Sequence, residues 1–208
     1  MATECKEFHP YPYQQFCIQH IIDHPVAGLF VDMGMGKTVM TLTAFNYLKY
    51  YAWQIQRCLV IAPKKVAEAT WRTEISGWQH LRHLRCSEVL GTATQRRAAM
   101  AVDADVYVTN RDNVQWLVKE YGKAWPFDMV VLDESSSFKN HQAKRFKALR
   151  AMRPKIKRIV ELTGTPSPHG LMDLWAQVYL LDGGQRLGRT ISVYRDMYFE
   201  PDKRSRSQ

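Results

Sequence analysis

Short apolar segments alternate along this chain with longer segments whose apolar residues recur at the spacing of a helix. Apolar runs rich in β-branched residues predict strands at 27–31, 58–62, 84–90, 105–109, 127–132 and 156–162. Segments with apolar residues on one helical face predict helices at 12–23, 38–51, 66–78, 94–101, 112–120, 141–152, 170–181 and 191–199. The regular alternation of the two predicts an α/β fold.

The order of these elements also predicts how the strands pair. A strand that returns to the same sheet through a helix makes a right-handed crossover, and the two strands are then parallel. The run Met129–Leu132 is apolar at every position, as expected of a strand that helices cover on both faces. We therefore expect a three-layer α/β domain with a mainly parallel sheet over residues 1–182. Residues 183–208, which begin with two glycines, are expected to form a C-terminal extension or a linker that ends in a polar, basic tail.

Composition narrows the class of protein. The chain has 208 residues, of which 46% are hydrophobic and 24% charged, and this balance is typical of a globular domain rather than a disordered one. No apolar run approaches the ~20 residues that cross a bilayer, and the N-terminal residues do not resemble a secretory signal. The four cysteines are scattered singly, so we expect reduced thiols. These features predict a soluble, intracellular, cytoplasmic protein without a membrane partner.

Basic residues outnumber acidic ones by 29 to 20, which gives the chain a net charge of +9. They are concentrated between His141 and Arg158, where no acidic residue occurs. This basic run comprises Lys144, Arg145, Lys147, Arg150, Arg153, Lys155, Lys157 and Arg158. A solvated helix face and a surface for nucleic-acid phosphates both explain such a run, so charge alone leaves the partner open.

The strongest local motif lies between the first predicted strand and the helix that follows it. Residues 31–38 read VDMGMGKT, as in a phosphate-binding loop, although Val31 stands where the full motif has glycine. Gly34 and Gly36 allow a tight turn that brings backbone N–H groups to a phosphate. Lys37 is expected to reach the β- and γ-phosphates and Thr38 to bind Mg²⁺, at the positive end of a helix dipole. The motif thus predicts a nucleoside triphosphate with Mg²⁺ as the ligand.

A second motif ends the predicted strand at 127–132. Asp133 and Glu134 follow directly after this apolar run and are expected at the carboxyl edge of the sheet. There Asp133 is expected to hold Mg²⁺ through water and Glu134 to polarise the attacking water. For this pair alone, an acidic loop after a strand is the alternative. Together with the phosphate loop, the pair predicts a P-loop nucleotide-binding domain with Lys37, Asp133 and Glu134 as catalytic residues.

Three further motifs occur in an order that points to a family. Pro12-Tyr13-Gln14 precedes the phosphate loop, Leu59–Lys64 fills the second strand–helix unit, and Leu162–Pro166 follows the last predicted strand. With the two motifs above, they resemble the first RecA-like lobe of the Snf-type (Swi/Snf) ATPases, within the DEAD/DEAH-box helicase superfamily. Segments 133–140 and 164–175 look like the bacteriophage-type branch of that family. The resemblance covers residues 8–199.

The resemblance implies a RecA-like P-loop fold, ATP and Mg²⁺ as cofactors, and sequence-independent contacts to the backbone of double-stranded DNA. The implied ATP site comprises Tyr13 and Gln14 at the adenine, and Gly34, Met35, Gly36, Lys37 and Thr38 at the phosphates, with Thr38 and Asp133 at the metal. The implied DNA-binding or coupling residues are Lys64, Thr109, Asn110, Arg111, Thr163, Gly164 and Thr165. Some have plainer explanations, since Gln14 also suits a helix surface and Asn110 a helix cap.

Motors of this family hydrolyse ATP between two RecA-like lobes, and the second lobe supplies catalytic arginines. No second α/β pattern follows in these 208 residues, so we expect the chain alone to bind ATP–Mg²⁺ and to hydrolyse it poorly. Loss of such an arginine lowers turnover by ~10³–10⁵ in related enzymes. Two functions stay open: the ATP-binding lobe of a DNA translocase, completed by a second lobe on another chain, and a non-motor ATP- or DNA-binding module that modulates a partner. A small-molecule kinase is a third, and it would leave Gln14 unexplained.

Overall fold

The computed structural model describes residues 5–200. Its strands are β1 (Val26–Phe30), β2 (Cys58–Ala62), β3 (Cys86–Glu88), β4 (Val106–Asn110), β5 (Met129–Asp133) and β6 (Arg158–Thr163). Its α-helices are α1 (Pro12–Asp23), α2 (Lys37–Tyr50), α3 (Lys64–Gly77), α4 (Ala93–Ala101), α5 (Val114–Tyr121), α6 (Lys144–Met152), α7 (Leu174–Asp182) and α8 (Ile191–Tyr198). Strands and helices therefore alternate as the sequence predicts, and the α/β fold class is confirmed.

The six strands form one sheet in the order β1-β6-β5-β2-β4-β3, and every neighbouring pair is parallel. The last strand in the chain, β6, lies between β1 and β5. All five residues of β2 and the first four of β5 are buried, because helices cover both faces of the sheet. The carboxyl ends of β1, β6 and β5 therefore meet at one edge.

Two hydrophobic cores lie on opposite faces of this sheet. Helices α1, α2 and α3 cover one face, where Met40, Phe45 and Trp71 pack with the inward side chains of the strands. Helices α5, α6 and α7 cover the other face, where Phe146 and Trp175 belong to a second buried cluster. The arrangement is the expected three-layer architecture, with helices on both sides of a parallel sheet. Within residues 5–200, no helix is long and apolar enough to cross a membrane.

The element boundaries differ from the sequence prediction in a few places. Strand β3 has three residues, whereas the sequence predicts a strand of seven at 84–90. Helix α7 begins four residues later than predicted, because a 3-10 turn at Leu171–Asp173 precedes it. Helix α8 packs back on the domain: Tyr194 is buried, and its hydroxyl donates a 2.8 Å hydrogen bond to the carbonyl of Leu171. Residues 201–208, the expected basic tail, lie outside the described residues.

Candidate nucleotide site

Three loops that are distant in sequence lie side by side at the carboxyl edge of the sheet. They follow β1, β6 and β5, which are neighbours in the sheet order. The register pairs Phe30 with Thr163 and Asp133 with Leu162, so these three strands end at nearly the same level. This edge is where open α/β sheets bind their ligands.

The loop after β1 has the backbone of an anion-binding turn. Gly34 and Gly36 both adopt positive φ angles, of 79° and 81°, which are strained for any residue with a side chain. A Cβ atom on Gly36 would lie 2.7 Å from Nε2 of Gln14, so a larger residue there would also displace the glutamine. Gly36 immediately precedes α2, whose unpaired N–H groups and positive dipole end consequently face the loop.

The ammonium group of Lys37 is folded back onto its own loop. It donates hydrogen bonds to the carbonyls of Val31 and Asp32, at 2.7 and 2.9 Å. Lys37 and Thr38 line a cavity of about 210 Å³, together with Gly34, Gly36, Val39, Glu74 and Asp133. A cavity of this size, with a lysine, a hydroxyl and a carboxylate in its wall, has the donor set that phosphate groups with Mg²⁺ require.

Asp133 is the carboxylate of this cavity, and a tryptophan holds it. The indole Nε1 of Trp71, on α3, donates a 2.9 Å hydrogen bond to Oδ2 of Asp133. Burial raises the pKa of Asp133, and the nearby Glu134 carboxylate adds to this, while the Trp71 hydrogen bond and the charge of Lys37 oppose it. Lys37 and Asp133 line the same cavity, although they belong to two motifs that are far apart in the sequence.

Glu134 lies next to Asp133 in an unusual backbone conformation. Its φ and ψ angles are 56° and 62°, in the left-handed region that non-glycine residues rarely adopt. One oxygen of its carboxylate, Oε1, accepts hydrogen bonds from the hydroxyls of Thr163, at 2.6 Å, and Ser136, at 2.9 Å. Glu134 lines a second cavity of about 590 Å³, together with Asp32, Met33, Gly164 and Thr165. The loop after β6 is therefore bonded to the loop after β5.

Tyr13 and Gln14 contact the phosphate loop itself. The Tyr13 hydroxyl and the Gln14 amide both donate to the carbonyl of Met35, at 3.1 and 3.3 Å. The other end of the Gln14 amide accepts from the backbone N–H of Tyr11, at 3.0 Å, and the side chain is buried. Both polar ends of Gln14 are thus engaged within the chain, and its visible role is to support the loop.

The expected DNA contacts lie further along the same edge, after β2 and β4. Lys64 begins α3 with an exposed side chain, 3.9 Å from Glu68. Thr109 is fully buried and its hydroxyl donates to the carbonyl of Val89, so it presents no atom to a partner. Asn110 caps the 3-10 turn that follows β4, because its Oδ1 accepts from the backbone N–H groups of residues 112 and 113. Arg111, in the same turn, has a partly exposed side chain.

Most of the basic run supports the fold. The following side chains donate to backbone carbonyls of other segments: Arg145, Arg153, Lys155 and Arg158. Lys157 pairs with Asp128 at 2.6 Å, and Arg150 lies over the ring of Tyr179. Lys144 and Lys147 are exposed on α6 and form no hydrogen bond or ion pair with any residue that the structure describes. Lys144 and Lys147 are therefore free to contact an outside partner.

Three contributors to the site were not predicted as functional residues. Trp71 orients Asp133, Glu74 lines the smaller cavity, and Gln177 is buried behind Glu134. Trp71 and Glu74 lie on the face of α3 that is directed toward the phosphate loop. Nothing in their sequence spacing connects them to a carboxylate on another strand. Among the described residues, no group of three His, Cys, Asp or Glu side chains forms a metal cage.

Comparisons with known proteins agree with this geometry. A family model, the SNF2-related domain, matches residues 13–191. The putative protein p41 of Acyrthosiphon pisum secondary endosymbiont phage 1 is 41% identical over 201 residues, which are 94% of this chain and 44% of that protein. The mouse DNA excision repair protein ERCC-6-like is 30% identical over 183 residues, or 85% of this chain and 14% of that protein. The chain therefore spans less than half the length of these relatives.

A solved structure carries the same fold. The SWI2/SNF2 ATPase core of Sulfolobus solfataricus, determined in complex with dsDNA, matches with a TM-score of 0.76 and 26% identity. The match covers 94% of this chain and 40% of that one. It confirms the RecA-like α/β fold, and the family match confirms the resemblance read from the motifs. The chain belongs to the SNF2-related family, whose relatives include the SWI/SNF helicase ATPases.

Proposed function

We propose that this chain is the ATP-binding lobe of an ATP-dependent DNA translocase of the SNF2 family, and that it hydrolyses ATP poorly by itself. The observation that carries the proposal is that Lys37, Thr38 and Asp133 line one cavity, with Glu134 at the next. These residues come from the loops after β1 and β5, which are far apart in the sequence. The order of the strands in the sheet places the two loops close together.

ATP binding in this site requires a rearrangement of Lys37. Its ammonium leaves the carbonyls of Val31 and Asp32 and moves to the phosphates, while the N–H groups at the start of α2 bind phosphate oxygens. Thr38 and Asp133 are the residues that would hold Mg²⁺, directly and through water. When bound, Mg²⁺ neutralises charge on the phosphates and so favours attack on the terminal one.

Glu134 is the group that acts on the attacking water. Its carboxylate is held by Thr163 through one oxygen, which leaves the second, Oε2, to accept a proton or a hydrogen bond. Within residues 5–200, the cavities at Lys37 and Glu134 have no arginine in their walls. Without an arginine at the transferred phosphoryl group, turnover is expected to be lower by ~10³–10⁵. A second RecA-like lobe is the partner that would supply it.

Double-stranded DNA is the proposed macromolecular partner. Lys64 and Arg111 are cations at the ends of β2 and β4, on the edge of the sheet that carries the nucleotide site. Contacts from such side chains to phosphates bind DNA without reading its sequence. The related Sulfolobus ATPase core was determined in complex with dsDNA, and this relationship supports DNA as the proposed partner.

The decisive measurement is ATP binding and hydrolysis by the purified chain, with and without duplex DNA. We expect ATP–Mg²⁺ binding that Lys37→Ala abolishes, and slow hydrolysis that Glu134→Gln abolishes. Lys119→Ala, which removes an exposed lysine of α5, is the matched control. Fast hydrolysis stimulated by DNA would contradict the poor-hydrolysis part of the proposal. DNA binding that is indifferent to ATP and to Glu134→Gln would instead favour a non-motor binding module.

A further inference from the structure

A cluster of three polar side chains is buried directly behind Glu134. Ser135, Glu161 and Gln177 come from the segment after β5, from the middle of β6 and from α7, and none of them is exposed to solvent. None lines either of the two cavities at the nucleotide site. Buried polar groups are costly unless they are paired, so a cluster of three in one place calls for a specific role.

Gln177 joins three segments through a single amide. Its Oε1 accepts a 2.9 Å hydrogen bond from the hydroxyl of Ser135. Its Nε2 donates to the carbonyl of Pro166, at 2.6 Å, and to that of Asp173, at 2.9 Å. The amide is fully satisfied, and it ties the residue that follows Glu134 to the loop that contains Thr163 and Thr165.

Glu161 lies in the middle of β6, next to this amide network. In register it is flanked by Gly28 of β1 and Leu132 of β5. Neither of its carboxyl oxygens has a hydrogen-bond partner among the described residues. Burial raises the pKa of this carboxyl well above its ordinary value, and Ser135 is the polar side chain close enough to interact with it. A protonated carboxyl is an O–H donor, and the oxygen of Ser135, which already donates its own proton to Gln177, is free to accept.

We propose that Ser135, Glu161 and Gln177 form a positioning unit that holds Glu134 in its left-handed conformation and couples it to the Thr163–Pro166 loop. The proposal rests on the function proposed above, in which Glu134 acts on water. A left-handed non-glycine residue persists only where its surroundings hold it. Thr163 donates a hydrogen bond to the Glu134 side chain, and Gln177 accepts one from the next residue, Ser135. A shift of the Pro166 carbonyl therefore moves Ser135 through one shared amide, and Glu134 with it.

The test compares substitutions that remove single members of the unit. Ser135→Ala removes the hydroxyl, Gln177→Leu removes the amide, and Glu161→Leu removes the carboxyl, while Glu161→Gln keeps a donor of nearly the same shape. Ser87→Ala is the matched control, because Ser87 is also buried and its hydroxyl donates to the carbonyl of Ala99, at 2.8 Å, away from the site. The quantities measured on the full chain are the Kd for ATPγS with Mg²⁺ and the single-turnover rate of ATP hydrolysis.

We expect Ser135→Ala, Gln177→Leu and Glu161→Leu to lower the hydrolysis rate by roughly ten- to a hundredfold, as for a misplaced reacting group, with Kd changed less than about twofold. Glu161→Gln is expected to retain the rate of the unaltered chain, and Ser87→Ala to leave both quantities unchanged. Rates that stay within twofold in Ser135→Ala and Gln177→Leu would overturn the proposal. So would a parallel loss of rate and affinity, because general loosening of the domain affects both.

A second measurement separates this proposal from the function on which it rests. If the unaltered chain hydrolyses ATP no faster than Glu134→Gln, the hydrolytic role of Glu134 fails, and amide hydrogen exchange then tests positioning alone. Faster exchange at residues 134–138 in Ser135→Ala, with unchanged exchange in Ser87→Ala, is the expected result. Equal exchange in both variants would overturn the positioning unit. Ser135→Ala removes one oxygen atom, so it serves where the larger change at Gln177 prevents folding.

Discussion

The indole nitrogen of Trp71 lies 2.9 Å from Oδ2 of Asp133 and donates a hydrogen bond to it. Trp71 belongs to the helix after β2, and Asp133 ends β5, two strands that are adjacent in the sheet. The bond therefore fixes the carboxylate that would hold Mg²⁺ by means of a fully buried residue of the core. Partners of this kind orient a metal ligand and keep it in one conformation.

Replacing Trp71 by phenylalanine removes this donor and keeps an aromatic ring. We expect the affinity for ATPγS in the presence of Mg²⁺ to fall by about tenfold, because Asp133 is no longer held in place. The difference between titrations with and without Mg²⁺ measures it. Trp125→Phe is the control, since the buried N–H of Trp125 has no partner among the described residues. Equal losses in the two variants would show that ring volume, rather than the hydrogen bond, is responsible.

Tyr13→Phe tests whether the helix before β1 supports the phosphate loop. The change removes the 3.1 Å hydrogen bond to the carbonyl of Met35 and leaves the ring in place. A bond of this kind contributes about 0.5–1.5 kcal/mol, so ATP affinity is expected to fall by roughly two- to tenfold. Calorimetric titration measures it, with Tyr47→Phe, at an exposed tyrosine of α2, as the control. Unchanged affinity would mean that Gln14 alone supports Met35.

Arg153→Met is expected to destabilise the domain without affecting DNA binding. The guanidinium donates to the carbonyls of Leu180 and Leu181, at the end of α7, at distances down to 2.6 Å. Hydrogen bonds from a charged group contribute about 1.5–3 kcal/mol, so we expect a loss of that size in urea unfolding. Arg150→Met, one helical turn earlier and over the ring of Tyr179, is expected to change stability by less than about 1 kcal/mol. A weaker DNA affinity in Arg153→Met at full folding would contradict this structural role.

The exposed lysines of α6 are the part of the basic run that is expected to contact DNA. Changing both Lys144 and Lys147 to glutamine should weaken duplex binding uniformly across sequences. It should also reduce the slope of log affinity against log salt by about 1.8, since each phosphate contact contributes about 0.9. Fluorescence anisotropy at several salt concentrations measures this slope. The same double change at Lys119 and Lys123 is the control, and an identical effect there would indicate unspecific attraction by net charge.

Glu161→Gln should make the protein more stable, and increasingly so as the pH rises above about 4.5. Burial raises the pKa of Glu161 in the folded state, whereas the unfolded chain has the ordinary value. Below the unfolded value both states are protonated and the substitution gains nothing. Above it the folded state binds the extra proton, so raising the pH favours unfolding of the unaltered chain by up to about 1.4 kcal/mol per unit. Urea unfolding of both proteins between pH 5 and pH 8 gives the difference, and a constant difference would contradict the assignment.

Local patterns predict the elements of this fold well. The bounds of α1 and β2 agree with the sequence prediction, and the phosphate loop lies where the glycines place it. Strand β3 is shorter than predicted because apolar residues also suit a segment that packs beside the sheet without pairing. Leu90 is such a residue, since it packs against the core beyond the end of the strand. The spacing of apolar residues therefore predicts which positions are buried, but it does not fix how many of them pair with the neighbouring strand.

The sequence predicts those residues of the site that belong to recognisable motifs, and it does not predict the others. Lys37 and Asp133 follow from residue type and position after a strand, and the structure places them at one cavity. The roles of Trp71 and Gln177 depend on side-chain directions across helices that have no fixed sequence spacing from the strands. The sequence does not reveal the role of Glu161 for another reason. A single carboxylate within an apolar run suggests an exposed position, but this one is fully buried in β6.

The position of β6 also constrains the order of events during synthesis. Strand β1, which leads into the phosphate loop, pairs with β6 and with no other strand among the described residues. A nascent chain that has emerged as far as β5 already contains the lysine and both carboxylates, yet β1 still lacks its only neighbour. Nucleotide affinity should therefore arise late and abruptly, once the residues up to Thr163 leave the ribosome. Ribosome-bound chains of increasing length would show this as a step rather than a gradual rise.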